Sequence, residues 1–264
     1  MLKDVLAAPG PSLPPSATLI VLLEGDAEAR LLVDAEAAVQ AVFAGRELSV
    51  VRAWATRPDL LAATSPAAPP ALVECGAVPD LDVRSLLEEP PRLVIFSLLP
   101  AVTLPALRHR DGGALVAPEA LRASWAPEAA ARIAAECTEE PPMSPAEAAA
   151  ALEPIILRLQ ERGAAVALCT TFRHVHTPLE DHGHTGAPAL REVIRRLNLE
   201  VAHLSQRTGC FVLDLDRPLA HEGGATLDAD YLGGDGRAAE IALDEFAALL
   251  LDALPDEITP LEFL

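Results

Sequence analysis

Aromatic side chains are scarce in this chain: one Tyr, two Trp and six Phe among 264 residues, 3% of the whole. A core without rings must be filled by Ala, Leu and Val. Alanine also favours helices, because it loses no side-chain entropy in forming them. Positive charge is scarce too, with 20 Lys and Arg against 39 Asp and Glu and a formal net charge of −19. That balance argues against nucleic-acid binding, where neutralisation of phosphates by cations supplies most of the affinity. It argues equally against docking to an anionic membrane. Cysteine is sparse and scattered: Cys75, Cys137, Cys169 and Cys210 form no C-x-x-C pair and no zinc-ligand pattern. They read as core or surface thiols of a reduced, cytoplasmic protein. No run of 18 apolar residues exists, so no membrane span is expected. No secretory pattern opens the chain either. Asp4 places an acid where basic residues belong, and Pro11, Pro14 and Pro15 interrupt the stretch where an apolar run would lie.

The residues that are plentiful are apolar and periodic. Hydrophobic residues make up 51% of the chain, enough to exclude disorder and to build a substantial core. Five continuous apolar runs, at 18–23, 48–52, 92–97, 164–169 and 210–214, read as strands buried on both faces. Helical stretches fall between and after them, at 28–43, 80–88, 127–138, 145–162, 187–207 and 236–253. Ser144-Pro145-Ala146-Glu147 is a helix start, with a Ser cap, Pro at the first position and Glu at the third. Gly163 and Gly209 are natural terminators. This alternation predicts an α/β fold: a three-layer α/β/α sandwich around a five-stranded parallel sheet, flavodoxin-like in type. Residues 1–17 read as an N-terminal arm, and 18–264 as a single domain.

Three stretches break the pattern. Residues 55–79 are rich in Pro and Ala. Residues 99–126 carry Pro100, Pro105, Gly112-Gly113 and Pro118, and read as a long loop. A shorter irregular stretch runs from Phe172 to Pro188. Ligands of open α/β sheets bind outside the carboxyl ends of the strands, so loops after the first, third and fourth strands should gather around a site.

The order and spacing of these blocks resemble the SGNH/GDSL hydrolase superfamily over Thr18 to Ala253. Glu24-Gly25-Asp26-Ala27 stands where that family has Gly-Asp-Ser after its first strand. Arg92-Leu93-Val94-Ile95-Phe96-Ser97 looks like the strand leading into its Gly-x-Asn-Asp block. The run 151–171 looks like its helix and fourth strand. Asn198, then Gly209 to Asp214, looks like its approach to the fifth strand. Asp228-Ala229-Asp230-Tyr231 has its Asp-x-x-His spacing.

The resemblance implies an SGNH-like domain whose catalytic identities have changed. Ala27 stands in place of the serine nucleophile and Tyr231 in place of the histidine. Ser97-Leu98-Leu99-Pro100 replaces the block that supplies the oxyanion Asn, and Trp54 or Ala55 stands near the oxyanion Gly. Only Asp228 survives from the triad. An Asp without Ser and His cannot run chemistry in which His takes the Ser proton and Asp holds the imidazole. Asp26 and Asp228 each precede a predicted helix, so each reads either as a helix cap or as a ligand-binding group. Tyr231 reads either as a hydroxyl in the pocket or as part of its wall.

Histidines cluster in one place. His174, His176, His182 and His184 surround Glu180 and Asp181 in the loop after the fourth predicted strand. The plain reading is a solvated polar loop. A second is substrate binding or acid–base work, since His titrates near neutral pH. A third is a zinc or iron site, because two H-x-H pairs and two carboxylates contain enough ligands. No other cofactor is expected.

Three functions remain open to such a chain. One is a pseudoenzyme that binds a small or acylated ligand through Asp26, Ala27, Ser97, Thr171, His174, His176, Asp228 and Tyr231. Another is an active ester hydrolase or acyltransferase with a rewired site. There His174 or His176 would serve as base beside Asp228, with Ser97, Thr170 or Thr171 as nucleophile. The third is an interaction module that contacts a protein through 99–126, with Trp125 as anchor. The first two share a site, and the choice between them decides whether the chain is an enzyme.

Overall fold

The computed structural model describes residues 18–24, 48–54, 58, 92–110, 114–116, 122–171, 187–222 and 236–254. The expected arm at 1–17, the helices at 28–43 and 80–88, and nearly all of 55–79 lie outside them.

The apolar runs form the strands β1 (Thr18–Glu24), β2 (Leu48–Trp54), β3 (Leu93–Phe96), β7 (Ala165–Cys169) and β8 (Phe211–Leu213). Every pairing among them is parallel, in the order β2-β1-β3-β7-β8. Counted within this sheet alone, that order is 2-1-3-4-5, which reverses between β1 and β3. An α/β chain built on a parallel sheet with helices is the architecture that the sequence pattern predicts.

Helices α3 (Pro145–Glu161) and α4 (Ala187–Thr208) pack together and against β7. Their Leu152, Ile156, Leu159, Leu197, Val201 and Leu204 join Val94, Phe96, Val166 and Leu168 in the main core. Strand side chains alternate, so these four strand residues mark one face of the sheet. Leu93, Ile95 and Ala167 point to the other face and are equally buried, so both faces are covered. Helix α6 (Gly236–Ala253) packs against β8, and its buried Ile241, Phe246 and Leu250 stand apart from the main core.

The helix start at Ser144 takes the form its sequence predicts. Ser144 Oγ accepts the Glu147 N–H, and Glu147 Oε2 accepts the Ser144 N–H at 2.8 Å. Gly163 and Gly209 end α3 and α4 at φ of +88° and +71°, conformations that cost an L-residue strain.

The region 99–126 is not the long loop its composition suggests. Leu99–Thr103 is a helix, α1, with Pro100 in its first turn, where a missing N–H costs nothing. Strands β4 (Ala106–His109) and β5 (Ala114–Val116) come next. Helix α2 (Pro127–Glu136) leads directly into β6 (Cys137–Glu140). These three strands make a separate antiparallel sheet in the order β5-β4-β6. Arg108 grips Glu140 across it at 2.6 and 3.1 Å, and buried His109 lies 3.2 Å from Glu136. The Met143 N–H donates to the Ala101 carbonyl at 2.9 Å, fastening the end of the excursion to α1. Among the described residues no helix is long and apolar enough to cross a membrane.

Candidate functional site

In open parallel α/β sheets ligands bind beyond the carboxyl ends of the strands where the order reverses, and here that reversal lies between β1 and β3. Leu23 pairs with Phe96, so the register sets Ser97 beside Glu24 at the carboxyl ends of those two strands. Ser97 is half-buried, and among the described residues its hydroxyl makes no hydrogen bond.

On the other side of β3, the chain leaving β7 is held tightly. The Thr170 hydroxyl donates to Asp214 Oδ1 at 2.9 Å. It also accepts the N–H groups of Leu215 and Asp216, at 2.9 and 3.1 Å. Asp214 Oδ1 accepts a further N–H from Arg217 at 3.3 Å, at the start of helix α5 (Asp216–Glu222). A hydroxyl with its proton and both lone pairs committed is a joint between two strand ends, not a nucleophile. One residue on, the Asn198 side chain of α4 grips the Thr171 backbone from both sides. Its Oδ1 accepts the Thr171 N–H at 2.9 Å, and its Nδ2 donates to the Thr171 carbonyl at 2.7 Å. Thr171 is itself buried.

No family model and no curated protein matches the chain. Among solved structures it is similar to a mutant of an acetyl-xylooligosaccharide esterase from Geobacillus Stearmophilus. The match spans 93% of this chain and 97% of that one, at 12% identity and a TM-score of 0.47. A likeness of that size assigns no reaction to this chain.

Of the residues expected at the site, Ser97, Thr170 and Thr171 end neighbouring strands and lie along one sheet edge. Asp26, Ala27, His174, His176, His182, His184, Asp228 and Tyr231 lie outside the described residues. Among the described residues, no three His, Cys, Asp or Glu side chains are grouped to hold a metal ion. Two of the thiols, Cys169 and Cys210, are buried as expected, and burial pushes the Cys210 thiol up from its ordinary value.

Two residues that shape this edge, Asn198 and Asp214, were named from the sequence only as part of the approach to the fifth strand, with no role given to either. Asn198 sits half-buried between Leu197 and the exposed Leu199 of α4. An amide at the border of an apolar stripe was the available signal, because such a group needs a partner. Asp214 directly follows β8, where a short polar side chain can bond the backbone of the turn.

Proposed function

We propose that this protein is a divergent, SGNH-like α/β protein that binds a small or acylated ligand at the carboxyl edge of its sheet without hydrolysing it. The observation that carries the reading is the committed Thr170 hydroxyl. The edge spends the Thr170 hydroxyl on holding β7 to β8, which suits a rigid rim around a pocket more than a reacting centre. With Ala27 in place of the family's Ser and Tyr231 in place of its His, the triad route is closed. The ligand would sit in the crevice past β1 and β3, between Asp26, Ala27 and Ser97 on one side and the chain after Thr171 on the other. His174, His176, Asp228 and Tyr231 would complete its walls. The three-layer sandwich and the SGNH-like kinship belong to the same proposal.

A second reading draws on one observation. Ser97 stands half-buried at the strand-order reversal, with a hydroxyl uncommitted among the described residues. With a base from the loop carrying His174 and His176, that hydroxyl could attack an ester carbonyl.

Labelling with a fluorophosphonate probe, then mass mapping, separates the two. The binding reading expects no modified residue in a folded sample while a control hydrolase reacts fully. It also expects thermal stabilisation by short-chain acyl esters without release of acid. Stoichiometric labelling of Ser97, abolished by His174→Ala or His176→Ala, would overturn it in favour of the rewired hydrolase.

A further inference from the structure

Acids outnumber bases almost two to one in this chain, yet the exposed face of α4 is basic. Arg191, Arg195, Arg196, His203 and Arg207 all lie on it and are exposed. Arg196 pairs with Glu192 at 2.8 Å, and Arg207 with Glu153 at 2.9 Å. Among the described residues, Arg191, Arg195 and His203 make no ion pair. In the middle of this face is Leu199, 55% exposed, with Arg195 one turn before it and His203 one turn after. A lone exposed Leu is ordinary. An exposed Leu with Arg195 and Arg196 one turn before it, in a strongly acidic protein, is a surface that suits an acidic partner face.

The complement is on the same chain. The exposed face of α6 runs Glu240, Asp244, Ala248, Leu251, with Asp252 beside the last. Those positions fall at i, i+4, i+8 and i+11, one line along a helix. Leu251 is 45% exposed, with Asp252 beside it, Ala248 one turn before it, and Asp244 and Glu240 two and three turns back along the same line. One molecule cannot bring the two faces together, because α4 belongs to the core on one side of the sheet and α6 does not.

We propose that the α4 face of one copy docks on the α6 face of another, Leu199 against the α6 helix and Leu251 against α4, with the arginines of α4 facing the carboxylates of α6. Formed once per pair of copies, a contact between unlike faces is heterologous, and copies then add head to tail. A single helix-on-helix contact is small by the standard of stable interfaces, so association grows with concentration. Salt weakens it, because its rim is charged and open to solvent.

The full-length protein tests this by sedimentation velocity across a concentration series, at low and high salt. Leu199→Glu and Leu251→Arg change exposed positions, and circular dichroism with thermal melting verifies that each variant folds. The wild type should gain mass with concentration at low salt and lose it at high salt. Each variant alone should remain monomeric. An equimolar mixture of the two should form a one-to-one dimer and stop there, since each variant keeps the face that the other needs. A wild type that is monomeric throughout would overturn the proposal. So would association that either variant leaves intact, or a mixture that stays monomeric.

Discussion

Thr170 is the residue on which the candidate edge turns. Three hydrogen bonds converge on its hydroxyl, and two of them come from backbone N–H groups of the turn after β8. Replacing it by Val keeps the shape and removes all three. Each buried polar group left unsatisfied costs about 1–3 kcal/mol. Thr170→Val should therefore lower stability by at least about 2 kcal/mol, read as a fall in the urea midpoint at constant slope. Thr170→Ser keeps the oxygen and should recover most of the loss. If Val is tolerated as well as Ser, the hydroxyl is not the joint between β7 and β8. Asn198 makes a comparable two-point contact, but to backbone alone, and its role is to fix where the chain leaves β7. Neither contact is visible in the sequence. Thr170 and Asp214 are 44 positions apart, and only the strand order that sets β7 beside β8 brings them together.

At the scale of elements, legibility tracks length and local signal. Helix α3 announces itself through Ser144, Pro145 and Glu147, and the capping box is present. Losing it through Ser144→Ala should cost about 1 kcal/mol, since N-cap side chains are worth that much. Thermal melting checks this, with Ser144→Asp as the variant expected to restore most of the stability. Strands β3 and β7 were legible because burial on both faces makes each an unbroken apolar run. The small antiparallel sheet was not. Its strands span three or four residues, too few for period-two alternation to stand out from chance. Pro100, read as a loop signal, instead lies in the first turn of α1. Burial there comes from tertiary contact, as at Leu104 and Ala106, and no local pattern encodes that. The same limit applies to the candidate site. Ser97 was legible as the residue ending a strand, whereas the commitment of Thr170 depended on a partner on a different strand.

For the whole molecule, the governing quantity is its charge of −19. Self-repulsion of that size favours expansion, so moderate salt should raise the melting temperature. One carboxyl makes the effect local. Glu245 of α6 has its pKa raised above the ordinary 4.5, by partial burial first and then by Asp214 and Asp244, with Arg217 opposing. A carboxyl raised on folding binds more protons in the folded state than in the unfolded one between its two titration points. Stability therefore falls as pH climbs through that window, and the penalty is complete above the folded value. In acid below the unfolded value, both states are protonated and the penalty vanishes. Glu245→Gln removes the ionisation and keeps the shape. It should raise the melting temperature at neutral pH, leave it nearly unchanged in strong acid, and flatten the slope between. Melting curves for both proteins across that range, at low ionic strength where neighbouring carboxylates are least screened, decide the matter. A variant that is less stable than the wild type at neutral pH would mean that the Glu245 carboxylate is held by a favourable contact rather than crowded by Asp214 and Asp244.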